Sequence, residues 1–310
     1  MVKRWLSPSY PLWLLLLIAC ASTDATIPRV RLGDLETNAP TPSAASASDD
    51  VLRIAVAPVY SPRQGLALYQ DLAVYLGQKL NRPAQLVQGK TYDEINNLVR
   101  EGTVALAIVC TNAYLEGQEQ FGMQALVVPQ VKGETVYYAY LIVPADSPAR
   151  SLADLRGKTF AFSDPLSNTG RLVAVDQLLQ MGTSPEAFFS RTIFTYSHDN
   201  SIKAVAENLV DGATVDNQVF DFLVDANSPL PARTKIIARY GPFGSSPLVV
   251  NPNLDAKLKA ELRDILLALD ADDAGRAILA QVGIDRFVVP DDRAYDSVRA
   301  MRERARMLKK

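Results

Sequence analysis

From Leu52 onward the apolar residues follow two periods that alternate along the chain. Short apolar or alternating runs predict strands, and the i, i+3, i+4, i+7 spacing predicts amphipathic helices. Leu52 to Val56 is a predicted strand, and Gln64 to Leu80 a helix with Leu66, Tyr69, Leu72, Ala73, Leu76 and Leu80 on one face. A strand over Ala84 to Val87, a helix over Tyr92 to Arg100 and a strand over Val104 to Val109 follow. The last is continuous in apolar residues, as buried central strands tend to be. Met123 to Val128 and Tyr137 to Val143 are further strands.

The alternation then restarts. Ser151 to Gly157 reads as a short helix with a Ser cap and a Gly stop. Thr159 to Phe162 and Thr192 to Thr195 are strands, and each leads through a polar loop into a helix. Ala213 to Val215 is a strand, Phe220 to Asp225 lies in a helix, and Lys235 to Arg239 and Leu248 to Asn251 are strands. Helices over Asp255 to Leu269, Asp273 to Val282 and Asp292 to Met307 close the pattern. Two rounds of β-α alternation predict an α/β fold with mostly parallel sheets, whose ligand loops lie at the carboxyl ends of the strands.

The first fifty residues read differently. Lys3 and Arg4 precede a short apolar core, Leu12 to Ile18, which ends in Leu17-Ile18-Ala19-Cys20. The run is too short for a bilayer span and reads as an export signal over residues 1–19. Residues 20–50 are rich in Ser, Thr, Ala and Pro and read as a flexible linker. The folded part starts at Val51 and is long enough for two lobes or one large domain.

Composition narrows the chemistry. The net charge is −2 with no long basic run, so nucleic acid is not an expected partner. Cys110 is the one cysteine after Cys20, and His198 is the one histidine, so no disulfide or zinc set can be built in the folded part. Cys110 lies in an apolar stretch and reads as a buried small hydrophobe. No Gly-x-Ser-x-Gly or P-loop occurs, and a hydrolase would have to work with His198 and Asp216 alone. No enzyme activity, cofactor or metal is expected.

Two polar clusters remain. Asp164-Pro165-Leu166-Ser167-Asn168-Thr169-Gly170 precedes one helical segment, and Ser197-His198-Asp199 precedes another. Free N–H groups and the positive dipole end make a helix N-terminus an anion site. Two aimed at one cleft would hold a tetrahedral oxyanion. The alternative is that Ser167 or Thr169, and Ser197, Asp199 or Asn200, are N-caps only.

Several stretches resemble the phosphate/phosphite/phosphonate-binding proteins of ABC importers. They are Tyr138 to Pro148, Ser151 to Phe162, Asp164 to Gly170, Ser197-His198-Asp199 and Asp211 to Asp216. The likeness runs from about Leu52 to Val289, and the order and spacing of the motifs carry it. It implies a two-lobed type II periplasmic-binding-protein fold with two hinge crossovers, placed near Leu141 and Tyr240. Lobe 1 would then hold residues 51–141 and 243–310, and lobe 2 residues 142–242. The family's anion turn falls on Ser167, Asn168 and Thr169, with an amide replacing one hydroxyl. Its histidine falls on His198, its two tyrosines on Tyr92 and Tyr137, and its acidic residue on Asp216. Tyr60 and Thr111 follow lobe 1 strands and are further candidates. Ser245-Ser246-Pro247 puts an uncharged pair where members that bind aminoalkylphosphonates carry an acid.

The resemblance implies a monomeric solute-binding protein that hands a small phosphorus oxyanion to an ABC permease. The alternative is a sensory protein that presents the same ligand to a receptor or histidine kinase. Leu-Ile-Ala-Cys resembles a bacterial lipobox, which implies lipid on Cys20 and a location in the cell envelope, tethered to a membrane.

Overall fold

The computed structural model describes residues 51–307. The export signal, Cys20 and the linker lie outside them. The strands are β1 (Leu52–Val56), β2 (Ala84–Gln88), β3 (Leu106–Ile108), β4 (Gln124–Gln130), β5 (Val136–Pro144), β6 (Thr159–Phe162), β7 (Arg191–Phe194), β8 (Gly212–Asp216), β9 (Thr234–Gly244), β10 (Leu248–Val250) and β11 (Arg286–Val288). The helices are α1 (Pro62–Lys79), α2 (Tyr92–Arg100), α3 (Thr111–Phe121), α4 (Val173–Gln180), α5 (Pro185–Phe188), α6 (His198–Ala206), α7 (Asn217–Asp225), α8 (Pro229–Ala232), α9 (Ala256–Leu267), α10 (Asp273–Gln281) and α11 (Asp296–Met307).

The strands form two sheets, six-stranded β11-β4-β10-β3-β1-β2 and five-stranded β7-β6-β8-β5-β9. Both are mixed rather than mostly parallel. Pairs β1–β2, β1–β3, β6–β7 and β6–β8 are parallel. The pairs made by β4, β5, β9, β10 and β11 are antiparallel. The strands flanked by crossover helices keep the parallel pairing that βαβ connections require. Strands that arrive by changing sheet, β5 and β10, enter in the opposite sense.

The chain leaves the first sheet between Gln130 and Val136 and returns to it between Gly244 and Leu248. Those two passages lie side by side, because Val136 pairs with Gly244 at the start of the β5–β9 ladder. Leu141 and Tyr240 sit further along that ladder, opposite Ala238 and Ala139, inside the five-stranded sheet. Val136 to Pro144 is one apolar run, so hydropathy alone does not mark where it enters a sheet.

Helices α3, α5, α8 and strand β11 are additions to the sequence-based pattern. The start of α3, Thr111-Asn112-Ala113, is polar and small, but all three residues are buried under neighbouring elements. Its end follows the expected rule, with Gly122 in the left-handed region at φ 78°.

Apolar packing joins the two sheets. One cluster holds Tyr92, Ala107 and Ala113 from the first half with Tyr137, Ala139, Leu172 and Val173 from the second. Another holds Tyr60 and Leu68 with Ile142, Ala161, Val205 and Val215. Fully burying one such large side chain is worth about 1.5–3 kcal/mol. The loops that follow β1, β3, β6 and β8 are thereby pressed together between the sheets.

Candidate functional site

Ser167 ends the loop after β6 and caps a wide π-type turn, Asn168–Leu172, which runs into α4. Its Oγ accepts the Gly170 N–H at 3.0 Å. Such wide turns recur at functional sites because they re-aim the backbone. Gly170 permits this one: a Cβ there would sit 1.8 Å from Ser163 Oγ. Ser163 N–H donates to the Gly170 carbonyl at 3.2 Å and fixes the turn on the strand end. The Asn168 N–H donates to Cys110 Sγ at 3.3 Å. Cys110 is buried as expected, and burial pushes its thiol up to about 11, so it stays neutral. Its sulfur also anchors the turn, which composition alone did not disclose.

His198 is the first residue of α6, behind the N-cap Ser197, whose Oγ accepts the Asn200 N–H at 3.3 Å. The His198 N–H donates to the Val59 carbonyl at 2.9 Å, and Asp199 Oδ1 accepts the Ser61 N–H at 2.9 Å. The start of α6 is therefore tied to the loop after β1 in the other half. Ser197 is a cap, and Asp199 is a tie between the halves. His198 Nδ1 accepts the backbone N–H of Asp216 at 3.1 Å. Its proton must then be on Nε2, which lies 3.4 Å from Ser167 Oγ. Burial pushes the imidazole down to about 3, so the ring is a neutral donor.

Tyr137 and Tyr92 complete the enclosure, and both are fully buried. The Asn168 amide is 2.9 Å from Tyr137 Oη. Tyr92 opens α2, where its N–H donates to Asp164 Oδ2 at 3.1 Å. Burial pushes both phenols well above their usual range. Three polar atoms here have no hydrogen-bond partner among the described residues: Tyr92 Oη, Asn168 Oδ1 and Thr169 Oγ1. A buried polar atom without a partner costs free energy, so two hydroxyls and one amide oxygen left this way call for a polar occupant.

Asp216 ends β8 and caps α7, with Oδ1 accepting the Gln218 N–H at 2.8 Å. Burial pushes its carboxyl up to about 7, against the lowering effect of the backbone donors. The one buried arginine or lysine among the described residues, Arg302, is bound elsewhere, to Asn112, Glu116 and Glu119. The site therefore offers neutral N–H and O–H donors and one carboxyl, with no counter-cation. Among the described residues no group of three His, Cys, Asp or Glu side chains could hold a metal ion.

All seven candidate residues come together. Ser167, His198 and Asp216 form one contact chain, Asn168 and Tyr137 another, and Thr169 shares the turn. Tyr92 lies within electrostatic reach of Tyr137 and Asp216. Thr111 is buried at the start of α3 with Oγ1 donating to the Gly244 carbonyl at 2.8 Å, while Tyr60 lines a neighbouring cavity. Asp164 was legible as part of the polar motif, but its tie to α2 was not. Ser163 carries no sequence signal beyond ending a strand.

A family described as ABC transporter, phosphonate, periplasmic substrate-binding protein matches residues 54–295 of this chain. Among solved structures, the chain is similar to a binding protein component of an ABC phosphonate transporter from Pseudomonas aeruginosa. The identity is 22%, the TM-score 0.78, and the match covers 83% of this chain and 86% of that one. It is similar to PhnD1 from Prochlorococcus marinus, solved in complex with methylphosphonate, at 17% identity and TM-score 0.74, over 82% of this chain and 97% of that one. The aliphatic sulphonate binding protein SsuA from Escherichia coli is more distant, at 14% identity and TM-score 0.53, over 84% and 92% of the two chains. These neighbours show a type II periplasmic-binding-protein fold.

Proposed function

The chain belongs to the family of periplasmic substrate-binding proteins of ABC phosphonate transporters, and from that premise we propose that it captures a small phosphorus oxyanion, a phosphonate, phosphite or phosphate, and delivers it to the permease. Members of this family are transport components and not enzymes. A sensory role finds no support in the comparisons. The reading rests above all on the sealed cluster of Ser167, Asn168, Thr169, His198, Tyr92 and Tyr137, with buried hydroxyls that lack protein partners.

In this reading the oxyanion takes the place of water on neutral donors. His198 offers Nε2–H because Nδ1 is already engaged. Ser167 Oγ accepts from Gly170 and keeps its own proton to donate. Thr169 N–H belongs to the first turn and has no intrahelical acceptor. The oxygen and nitrogen of an amide are interchangeable in placement. When Tyr137 donates to the Asn168 amide oxygen, the amide NH2 is released toward the anion. In dry surroundings each such bond is strengthened. Asp216 accepts the proton of a P–OH group, which an anion without one cannot supply.

The two lobes are taken to follow the sheets: residues 51–135 with 245–307 in lobe 1, and residues 136–244 in lobe 2. They close on the ligand by a hinge at the paired passages. The mature chain is proposed to begin at a lipid-bearing Cys20. Intact mass of Cys20→Ser against wild type tests this, and an unmodified terminus elsewhere overturns it.

Thermal melting with methylphosphonate, phosphite, phosphate and sulfate tests the function. Ligand at 100 times its Kd adds about 2.7 kcal/mol. A chain of this size, which moves about 2–4 °C per kcal/mol, should then melt about 5–10 °C higher. A shift with sulfate and with none of the phosphorus anions overturns the reading.

A further inference from the structure

Beside the sealed donors lies a cavity of about 370 Å³ between the two halves. Of the seven candidate residues, Asp216 alone lines it. Asp216 therefore stands between the donor cluster and the cavity, with its N–H on His198 and the residue itself on the cavity wall. The cavity holds the equivalent of about twelve waters at about 30 Å³ each. It falls in the range of pockets that enclose organic ligands, about 300–1,000 Å³. A methyl group on phosphorus would leave nearly all of it unfilled.

The wall next to Asp216 is aromatic, with Tyr60, Tyr69, Tyr138, Tyr140 and Phe222. Tyr60 follows β1 and Phe222 lies on α7, and their rings meet edge to face at 5.6 Å. The two halves thus build this wall jointly. Tyr60 and Tyr69 lie within electrostatic reach of Asp216, and among the described residues neither hydroxyl has a side-chain hydrogen bond that shifts its ionisation. The lining also includes the aliphatic Ile278, Val282 and Ile284. The cations at the mouth are engaged: Arg239 lies over the Tyr138 ring at 3.4 Å, and Lys132 is 3.9 Å from Asp225. Nothing in the interior waits for a second anionic group.

We infer that this cavity receives the organic substituent of the phosphorus ligand, and that the substituent is a bulky arylalkyl group. The inference rests on the phosphorus-oxyanion reading above. An aromatic substituent fits walls that can meet it in offset or edge-to-face contact. Its burial removes apolar surface from water on both sides. Polar atoms on the ring would find Tyr60 and Tyr69 hydroxyls to pair with.

Calorimetric titration of the full mature chain with methylphosphonate, 2-aminoethylphosphonate and benzylphosphonate tests the inference. Wild type is expected to bind benzylphosphonate at least about tenfold more tightly than methylphosphonate. Val131→Trp and Val282→Trp each place bulk in the cavity from half-buried lining positions that are not among the oxyanion donors. Each is expected to erase the benzyl advantage and leave methylphosphonate affinity unchanged. Equal or weaker benzylphosphonate binding overturns the inference and leaves the proposed function standing. So does a benzyl preference that survives both substitutions. Tightest binding of 2-aminoethylphosphonate overturns it in favour of an ammonium group at Asp216. If no phosphorus anion binds wild type, the proposed function itself fails and the inference falls with it.

Discussion

The Nδ1 atom of His198, at the start of α6, accepts the backbone N–H of Asp216 at the end of β8, at 3.1 Å. One main-chain donor thereby sets the tautomer of the only histidine and aims its Nε2–H at Ser167. Protonation would place two donors face to face, which adds to the burial that holds the ring down at about 3.

Replacing His198 by Ala is expected to weaken anion binding about ten- to a hundredfold, since a hydrogen bond to a charged group is worth about 1.5–3 kcal/mol. The imidazole is depressed on folding, so its contribution to stability is present above its unfolded value near 6.5 and is lost as pH falls from there toward 3. The melting temperature of His198→Ala should therefore fall less than wild type between pH 6.5 and 4. Unchanged affinity in calorimetry would remove His198 from the site.

Gly170→Ala is expected to weaken binding and to destabilise the fold by about 1–3 kcal/mol, the usual cost of an overpacked interior. The added Cβ would meet Ser163 Oγ at 1.8 Å and Ser163 Cβ at 2.8 Å. Ser163→Gly in the same chain removes both atoms. The double variant should recover part of the loss, and a denaturation cycle over the four proteins measures the coupling. Strictly additive losses would mean that the turn moves rather than clashes.

The strands and helices that carry the site were largely legible, because Leu52 to Val56, Thr159 to Phe162 and the segments after Ser167 and Ser197 obey clear periods. The anion turn and His198 stood out as polar clusters before helical segments, whereas Tyr92, Tyr137 and Asp216 came from the family resemblance. The tautomer of His198 was not legible, because it depends on a main-chain N–H eighteen residues away in sequence. Neither was the bond from Asn168 N–H to Cys110, since nothing in an apolar stretch marks one sulfur as an acceptor. Helix α3 was missed because burial of Thr111, Asn112 and Ala113 comes from packing that pattern does not encode. The mixed strand order follows from where the chain changes sheet, and Val136 to Pro144 gives no local sign of that.

Arg304 on α11 reaches α4, where its Nε lies 2.6 Å from Asp176 Oδ1, and Asp176 is 2% exposed. Removal of the guanidinium leaves Asp176 buried with only the Gln180 amide at 2.8 Å. Breaking a fully buried pair costs about 3–5 kcal/mol. The Arg304 side chain is 45% exposed, so water offsets part of this and about 1–3 kcal/mol is expected for Arg304→Ala. Urea unfolding measures it. Because α11 and α4 belong to different halves, ligand affinity should fall severalfold as well. Loss of stability with unchanged affinity would confine the pair to a structural role.

Asp216 gives the opposite pH response to His198. Burial raises its carboxyl from 3.8 to about 7. A group raised on folding contributes stability that is fully present below its unfolded value, and that is lost as pH rises through the folded one. Stability of the ligand-free protein should therefore decline between about pH 4 and 7 on account of this residue. Asp216→Asn keeps a side-chain oxygen to cap α7, so the fold survives. The variant should show a flatter melting curve against pH and melt higher than wild type at pH 8. Binding follows the same ionisation. Below pH 7 the protonated carboxyl donates to any oxyanion, so sulfate and phosphorus anions are poorly distinguished there. Above pH 7 the carboxylate accepts a proton-bearing P–OH and repels sulfate. Discrimination against sulfate should thus grow from pH 6 to 8 in wild type and stay constant in Asp216→Asn. Wild-type discrimination that is flat over this range, measured by competition calorimetry, would show that Asp216 faces the cavity alone and does not touch the anion.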